Sequence, residues 1–514
     1  MKQTILWADD EMDLLKPYIL FLESKNYAVI TATNGADAIE TLRSEHIDIV
    51  FLDEQMPGLS GIDTLFEMKK IRPNIPIVMI TKSEEESIME EAIGSQITDY
   101  LIKPVSPNQI LLSLKKNLSG KDIIGEKQIR NYMEEFRENS MNMSSKMPFS
   151  KWKELYKNLV YWELELYNGG HNDYLEILEQ QKKEANNLFS KFIESNYFDL
   201  IRSNYQEPIQ MSHNILHQRL FPLLKEKRPT FFIVLDNLRY DHWCAIKPLL
   251  SEYLKVLKDD LYLGILPSVT QYARNALFSG LMPSEIEKLH PDLWVNETED
   301  EQKNQYEQDL FTEYLRRYGH NVKFSFHKIF NNNAGKKIVD SLPQIINNQL
   351  NVIVYNSIDI LSHASTDVQI LKDMALSDQS YRSLALTWFE HSPLFDLLKQ
   401  LSGKDVNIVI TTDHGSVRVT GTVKIKGDKE SSVNLRYKTG KNLNIDSGSA
   451  FIVRHPADAF LPTLNLSSSF MFCKNNDYFV YPTNQVYYTQ FFKNTLQHGG
   501  ISMEELMIPF VILG

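Results

Sequence analysis

Three apolar stretches in the C-terminal half of the chain each end in an acidic residue. The stretches are FFIVLD, NVIVYNSID and NIVITTD, and their acids and following histidines are Asp236, Asp359, His363, Asp413 and His414. Such runs are typical of interior strands of a parallel sheet, whose carboxyl ends meet at one edge. Bringing these groups together with His498 would cost much free energy unless a dication neutralises their charge. We therefore expect a metal site at this edge.

A second acidic cluster is predicted near the N-terminus. Asp9 and Asp10 follow TILWA, and Asp53 ends IVFLD. Short apolar strands alternate with amphipathic helices over residues 1–119, the pattern of a doubly wound α/β sheet. Carboxylate oxygens suit Mg²⁺, with the carbonyl of Gln55 as a further ligand. Lys103, at the end of the last strand, would screen a phosphoryl group on Asp53.

Residues 1–119 resemble a response-regulator receiver domain. The resemblance rests on Asp53, the Met56-Pro57-Gly58 that follows it, and Pro104 after Lys103. It implies that Asp53 is the phosphoacceptor and that Thr81 and Tyr100 act as the switch beside Lys103. It also implies a sensor histidine kinase as partner. We expect phosphorylation to favour a homodimer.

Composition restricts the class of protein. At 514 residues the chain is long enough for three domains, and its net charge of -12 argues against nonspecific coating of nucleic acid. Cys244 and Cys473 are too few for a disulfide framework. Neither a signal peptide nor a membrane span is predicted, so we expect a cytoplasmic protein without membrane insertion.

The remaining sequence divides into two parts. Residues 120–225 show helical spacing and no strand pattern, which predicts an all-helical bundle as linker. Residues 226–514 alternate strands and helices again, which predicts an α/β effector domain. Two long interruptions, at 280–351 and 415–497, are expected to form caps over the substrate site.

The predicted effector site combines imidazole and carboxylate groups. Asp359 and His363 are four residues apart, on one face of a helix, and His498 would complete the ligands of one ion. This ligand mixture suits Zn²⁺ best. Thr270 lies where LPSVTQYARNALFSG turns into a helix, so it is the candidate nucleophile, with a simple N-cap as the alternative. Arg274, four residues later, could hold phosphoryl oxygens.

Residues 226–514 resemble the alkaline phosphatase superfamily in its PglZ-type branch. Together with the receiver, the chain resembles the PorX-type response regulators of type IX secretion. The resemblance implies two zinc ions: Asp359, His363 and His498 would hold one, and the other would be held by Asp236, Thr270, Asp413 and His414. It also implies hydrolysis of phosphodiesters in linear or cyclic oligonucleotides.

A basic segment follows the ligands Asp413 and His414. Residues 418–441 carry seven lysines and arginines against two acids. This predicts contacts with a polyanionic substrate through Lys424, Lys426 and Arg436, and Tyr437 could stack a base. The alternative is a solvated hairpin whose lysines protect its edges.

Two functions from different classes follow. The first is a two-zinc phosphodiesterase controlled by phosphorylation at Asp53. The second is a regulatory protein that keeps zinc for stability and recruits a sigma factor or a secretion component without catalysis. The intact nucleophile Thr270 favours the enzyme. A DNA-binding output is disfavoured because the last hundred residues contain no helix-turn-helix pattern with a basic recognition helix.

Overall fold

The computed structural model describes most of the chain in two compact units. The described residues are 2–82, 97–118, 123–226, 228–296, 302–427, 432, 434–446, 448–463, 467–483 and 485–514. The first unit comprises Met1–Met141 and Glu165–Gln181, and the second comprises Asn142–Leu164 and Lys182–Gly514. Among the described residues no helix is both long and apolar enough to cross a membrane.

A five-stranded parallel sheet of order β2-β1-β3-β4-β5 forms the centre of the first unit. Its strands are β1 (Thr4–Ala8), β2 (Ala28–Ala32), β3 (Ile49–Asp53), β4 (Ile77–Thr81) and β5 (Asp99–Ile102). The helices described around them are α1 (Met12–Ser24), α2 (Gly35–Ser44), α3 (Gly61–Ile71) and α4 (Pro107–Leu118). Strand residues alternate between two apolar cores: Ile5 and Trp7 join one, Leu6 and Ala8 the other. The doubly wound fold is confirmed.

Three long helices follow the receiver part of the chain. They are α5 (Ile123–Asn142), α6 (Phe149–Asn168) and α7 (Asn172–Ile201). Helices α6 and α7 each contribute residues to both units. Between Ile201 and residue 225 the chain forms only short helical turns, at Leu216–Leu220 and Leu223–Lys225, so the last long helix of this part ends well before residue 225.

The second unit is built on a six-stranded mixed sheet of order β7-β19-β10-β6-β9-β8. The strands are β6 (Thr230–Leu235), β7 (Val256–Leu263), β8 (Phe324–Ile329), β9 (Leu350–Tyr355), β10 (Asn407–Thr411) and, last in the chain, β19 (Met507–Leu513). Strands β10, β6, β9 and β8 are parallel, whereas β19 is antiparallel to β10 and β7. The three strands that precede the acidic residues are therefore neighbours with their carboxyl ends at one edge.

Helices surround this sheet. Those described are α8 (Tyr240–Leu250), α9 (Thr270–Ser279), α10 (Pro283–Leu289), α11 (Glu307–Arg317), α12 (Asn332–Asp340), α13 (Leu342–Ile345), α14 (Ser357–Asp367), α15 (Gln369–Met374), α16 (Asp378–Glu390), α17 (Pro393–Leu401), α18 (Gln485–Phe492) and α19 (Met503–Leu506). Large apolar residues such as Phe232, Val352 and Val409 form the buried core with Leu277 and Phe278 of α9.

The two interruptions differ from each other. Residues 280–351 were expected to form a cap, but their strand β8 pairs with β9 as the edge of the main sheet. Residues 415–497 form small separate sheets. Their strands are β11 (Val417–Arg418), β12 (Gly421–Lys426), β13 (Tyr437–Gly440), β14 (Asn444–Ile445), β15 (Ala450–Val453), β16 (Ser469–Cys473), β17 (Asp477–Val480) and β18 (Leu496–Gln497).

Candidate functional sites

Three carboxylates meet at the carboxyl edge of the receiver sheet. Asp9, Asp10 and Asp53 each offer an oxygen within 4.8 Å of the others. The Lys103 ammonium lies 2.9 Å from Asp9 Oδ2 and 3.1 Å from Asp53 Oδ1. Asp9 and Asp53 are buried, while Asp10 is exposed. A hard dication would fit this set of oxygens.

The electrostatics of this cluster show why it needs a cation. Burial raises the pKa of Asp53 to about 6, and Asp9 adds to the rise, while the hydrogen bond from Lys103 opposes it. Burial alone would lower the pKa of Lys103, but its hydrogen bonds to Asp9 and Asp53 outweigh burial and raise it. One ammonium therefore balances only part of the carboxylate charge.

The other predicted receiver residues lie as follows. Thr81 ends β4 and is buried, next to Asp53 in the order of strands. Tyr100 in β5 is half-buried and packs against the apolar core that contains Leu52 and Met79. Gln55 is exposed and lies two residues after Asp53. The structure thus brings Asp9, Asp10, Asp53 and Lys103 together, while the switch roles of Thr81 and Tyr100 stay predictions.

Two trios of metal-ligand type occupy the carboxyl edge of the second sheet. Within each trio the possible ligand atoms lie within 4.8 Å of one another. The trios are Asp359, His363 and His498, and Asp236, Asp413 and His414. Asp236 follows β6, Asp413 and His414 follow β10, and α14 after β9 supplies Asp359 and His363. Adjacent parallel strands thus deliver five of the six side chains.

His498 directly follows β18, at the end of the second interruption, and lies over His414. Their rings stack with centroids 4.2 Å apart, and the ring of His363 lies 5.7 Å from that of His498. His498 Nδ1 lies 3.3 Å from the carbonyl oxygen of Ser268, which only accepts, so Nδ1 carries the proton and Nε2 keeps its lone pair. Burial, with the nearby His414, lowers the pKa of His498 to about 3. The ring is therefore neutral, the form that binds cations.

The second trio carries more negative charge than its protein partners satisfy. Burial raises the pKa of Asp236 well above its usual range, and Asp413 and Asp359 add to the rise. Asp236 Oδ1 is buried without a hydrogen-bond partner in the described part of the chain. A buried orphan oxygen among carboxylates and an imidazole is the environment that a dication fits.

Thr270 lies directly beside this trio. It is the first residue of α9, with Val269 in the N-cap position, and its Oγ1 is 3.1 Å from His414 Nε2. His414 Nδ1 lies 3.2 Å from the carbonyl oxygen of Gly415 and donates to it, which leaves Nε2 facing Thr270. The side chain of Thr270 is therefore directed at the ligand set and does not serve as the N-cap.

Arg274 differs in its surroundings from the prediction. It is 1% exposed, its Nε lies 2.9 Å from Asp413 Oδ2, and Nη2 pairs with Asp236. Glu307, itself buried and paired at 3.0 Å with Lys328, lies 3.6 Å from its Nη1. The guanidinium thus pairs with two carboxylates of the trio, and these carboxylates engage the face that was expected to hold phosphoryl oxygens.

Two residues of the basic segment that were expected to contact substrate, Arg436 and Tyr437, are buried. Arg436 is fully buried, its guanidinium pairs with Glu505 at 2.5 Å, and it donates to the carbonyl of Lys474. Tyr437 is 4% exposed, with its ring 6.1 Å from that of Tyr272. The assignment of Arg436 and Tyr437 as substrate contacts therefore needs correction. Arg436 is buried against the carboxylate of Glu505, and Tyr437 is buried against the ring of Tyr272.

The two lysines predicted to contact substrate are accessible. Lys424 and Lys426 alternate along β12 with buried Val423 and Ile425, so both lie on its exposed face. Their role as substrate contacts stays a prediction. Lys429, which contributed to the basic charge of the segment, lies outside the described residues.

Replacing Arg436 with methionine should destabilise the second unit. The substitution leaves the Glu505 carboxylate buried without its partner, at an expected cost of about 3–5 kcal/mol. The cost would appear as a lower denaturant midpoint, whereas Lys426→Met on the exposed strand face should change it little. Unchanged stability with a higher KM for oligonucleotides would instead restore Arg436 as a substrate contact.

The prediction from the sequence did not identify several residues that position the ligands. Ser268 Oγ donates to Gly500 O at 3.0 Å and accepts from Gly499 N at 3.1 Å, so it ties the segment before Thr270 to the one after His498. Glu505 Oε1 accepts from Gly500 N at 2.8 Å. Asn237 Nδ2 donates to Asp359 Oδ1 at 3.3 Å. Of these, only Asn237 had a sequence signal, since it follows the ligand Asp236.

Comparison with known families gives three matches along the chain. Residues 5–115 match the response regulator receiver domain, residues 122–201 the PorX response regulator linker domain, and residues 215–513 the BREX system PglZ alkaline phosphatase-like domain. This order is that of the PorX-type architecture. The last match covers more than half of the 514 residues.

Two characterised proteins and one solved structure are each similar to less than a quarter of this chain. The transcriptional regulatory protein ResD of Bacillus subtilis is 33% identical over 111 residues, which are 22% of this chain and 46% of ResD. Response regulator SaeR of Staphylococcus aureus is 35% identical over 115 residues, 22% of this chain and 50% of SaeR. The chain thus spans about half the length of these relatives.

A receiver domain structure from Clostridium thermocellum is 29% identical, with a TM-score of 0.22, and covers 23% of this chain and 94% of that structure. Residues 5–115, which match the receiver domain, lie in the first unit, and residues 215–513, which give the larger match, carry both trios. The chain belongs to the PglZ family of alkaline phosphatase-like domains, carried behind a receiver and a PorX-type linker.

Proposed function

We propose that this response regulator is a two-zinc phosphodiesterase controlled by phosphorylation at Asp53. The observation that carries the proposal is the pair of trios with Thr270 beside His414 at 3.1 Å. A protein that only bound a partner would have no use for a hydroxyl directed at the ligand set. The phosphatase-like family match supports hydrolysis, and the PorX-type linker match supports a role in type IX secretion.

Each trio would hold one zinc ion. Asp359, His363 and His498 would bind the first, and Asp236, Asp413 and His414 the second, with Thr270 Oγ1 as a further ligand. Mixed imidazole and carboxylate sets suit Zn²⁺. When bound, such a pair of ions lowers the pKa of coordinated hydroxyls and stabilises negative charge on phosphoryl oxygens.

The chain's own residues would carry the chemistry in two steps. Thr270 Oγ attacks phosphorus and forms a new P–O bond, the bond to one ester oxygen breaks, and the hydroxyl proton leaves with the departing alcohol. Water then hydrolyses the phosphothreonine ester, which returns the threonine hydroxyl and releases a phosphomonoester. Arg274 holds Asp236 and Asp413 in place through both steps.

The receiver would control this reaction through Asp53. A sensor kinase would supply the phosphoryl group, Mg²⁺ held by Asp9, Asp10 and Asp53 would balance its charge, and Lys103 would contact it. The phosphorylated receiver would favour a homodimer. A cytoplasmic location would suit both the kinase and the substrate.

Phosphorylation should change both oligomeric state and turnover. Acetyl phosphate treatment of the wild type should roughly double the mass in sedimentation and change hydrolysis by about tenfold, the usual size of allosteric coupling. Asp53→Ala should remove both responses, whereas Glu40→Ala, which removes an exposed side chain of α2, should keep them. Identical behaviour of the Asp53→Ala protein and the treated wild type would contradict receiver control.

The proposed activity is tested with a bis-aryl phosphodiester. Zinc-loaded protein should hydrolyse it, chelation should stop the reaction, and added zinc should restore it. A protein that retains two zinc ions but turns over neither this diester nor a short oligonucleotide would instead be a regulatory protein. Such a protein would recruit a sigma factor or a secretion component.

A further inference from the structure

Two short segments beside the trios carry a large share of the exposed apolar surface. Among the described residues, nine of the twenty large apolar side chains that are exposed lie in 360–376 and 486–491. Six of them are Ile360, Ile370, Met374, Tyr487, Tyr488 and Phe491. Soluble proteins usually scatter such side chains singly, so their concentration in two segments indicates a binding surface.

The two segments form one continuous surface. Lys372 of α15 donates to the carbonyl oxygen of Phe491 in α18 at 2.7 Å, and its ammonium lies 5.2 Å from the centre of the Phe491 ring. Helix α15 also packs against α14, which carries the ligands Asp359 and His363. We call the exposed apolar residues of α14, α15 and α18, with Lys372, the aromatic surface.

The aromatic surface reaches the mouth of the candidate metal centre. The side chain of His363 is 61% exposed, whereas its partners Asp359 and His498 are mostly buried, so the centre opens to solvent on the His363 side. Ile360 is three residues before His363 and therefore neighbours it on the surface of α14. A ligand that enters beside His363 would contact this surface.

The rings of α18 have the geometry of a stacking platform. Tyr487 stacks on Phe491 with centroids 5.9 Å apart at 18°, and Tyr488 stacks on Phe492 at 6.1 Å and 9°. Tyr487 remains 61% exposed. Flat exposed rings accept nucleobases of any sequence, and a nearby ammonium such as that of Lys372 attracts the phosphate chain.

We propose that the aromatic surface binds a nucleobase next to the scissile phosphate of an oligonucleotide. This proposal rests on the proposed phosphodiesterase activity and assigns the surface that recognises its class of substrate. An occupant that reaches both the metal centre and the rings must carry phosphate and flat apolar groups together, as a nucleotide does. A second copy or a protein partner seated there would obstruct the approach beside His363.

Hydrolysis of a short single-stranded oligonucleotide and of its abasic counterpart tests the proposal. The wild type should prefer the base-containing strand by roughly tenfold in kcat/KM, because stacking needs the bases. Tyr487→Ala and Tyr488→Ala should abolish that preference, mainly through KM, while Tyr487→Phe should keep it. Tyr253→Ala, which removes an exposed tyrosine elsewhere, is the matched control and should also keep it.

The outcomes distinguish the proposed base stacking from the phosphodiesterase activity on which it rests. If the wild type hydrolyses a bis-aryl diester but cuts both strands equally, or if Tyr487→Ala retains the preference, base stacking on the aromatic surface is refuted while the phosphodiesterase stands. If Tyr487→Ala instead lowers the mass in sedimentation, the surface joins two copies of the chain. No hydrolysis of any diester by zinc-loaded wild type would overturn the phosphodiesterase itself.

Discussion

Thr270→Val should reduce phosphodiester hydrolysis by roughly a thousandfold or more, because the substitution removes the attacking oxygen and keeps the shape of the side chain. Thr270 begins α9 without acting as its N-cap, so the helix should fold normally in the variant. Its Oγ1 faces His414 Nε2 at 3.1 Å, whereas the hydroxyl of the fully buried Thr412 donates to Asp413 Oδ1 at 3.2 Å. Initial rates with a bis-aryl phosphodiester measure the loss.

The control for this variant is Thr270→Ser, which keeps a hydroxyl at the same position. It should retain a measurable part of the activity. Zinc content should stay near two ions per chain in both variants, since three residues still hold each ion. A Thr270→Val protein with wild-type turnover would show that another group attacks phosphorus.

His363→Ala should lose one of the two zinc ions and lower turnover by at least about a hundredfold. His363 is the accessible member of its trio, with a side chain 61% exposed, so its removal should not disturb the core. Asp359 and His498 alone offer too few ligands for tight binding of zinc. Metal analysis of the purified protein and the hydrolysis rate are the two measurements.

The matched control is His391→Ala, which removes an exposed imidazole at the end of α16. Both zinc ions and full turnover should remain. If His363→Ala kept two zinc ions and full activity, the first trio would have no catalytic role. Partial recovery of activity at high zinc concentration would agree with a weakened site.

The sequence allowed much of the fold to be predicted. Apolar runs that end in Asp236, Asp359 and Asp413 are local patterns, and the rule that parallel strands align their carboxyl ends converts them into a common edge. The four-residue spacing of Asp359 and His363 likewise follows from helix geometry. Such predictions succeed because they depend on neighbours in the chain.

The features that could not be predicted from the sequence depend on contacts between residues that are far apart along the chain. The charge of Arg436 was predicted to be exposed, yet its guanidinium donates to the carboxylate of Glu505, 69 residues later. Arg274 was predicted to contact substrate because of its helical spacing from Thr270, but its guanidinium donates to Asp413, 139 residues away. Strand β8 was assigned to a cap because nothing in its own residues indicates pairing with β9. Burial against remote segments has no local signature.

The central claim is that two zinc ions lie in the two trios. Anomalous diffraction at the zinc edge, from crystals of protein with its zinc content measured, tests it most directly. The account predicts two strong peaks per chain, one among Asp359, His363 and His498, and one among Asp236, Asp413 and His414. A single peak elsewhere, or no peak at the carboxyl edge of β6, β9 and β10, would contradict it.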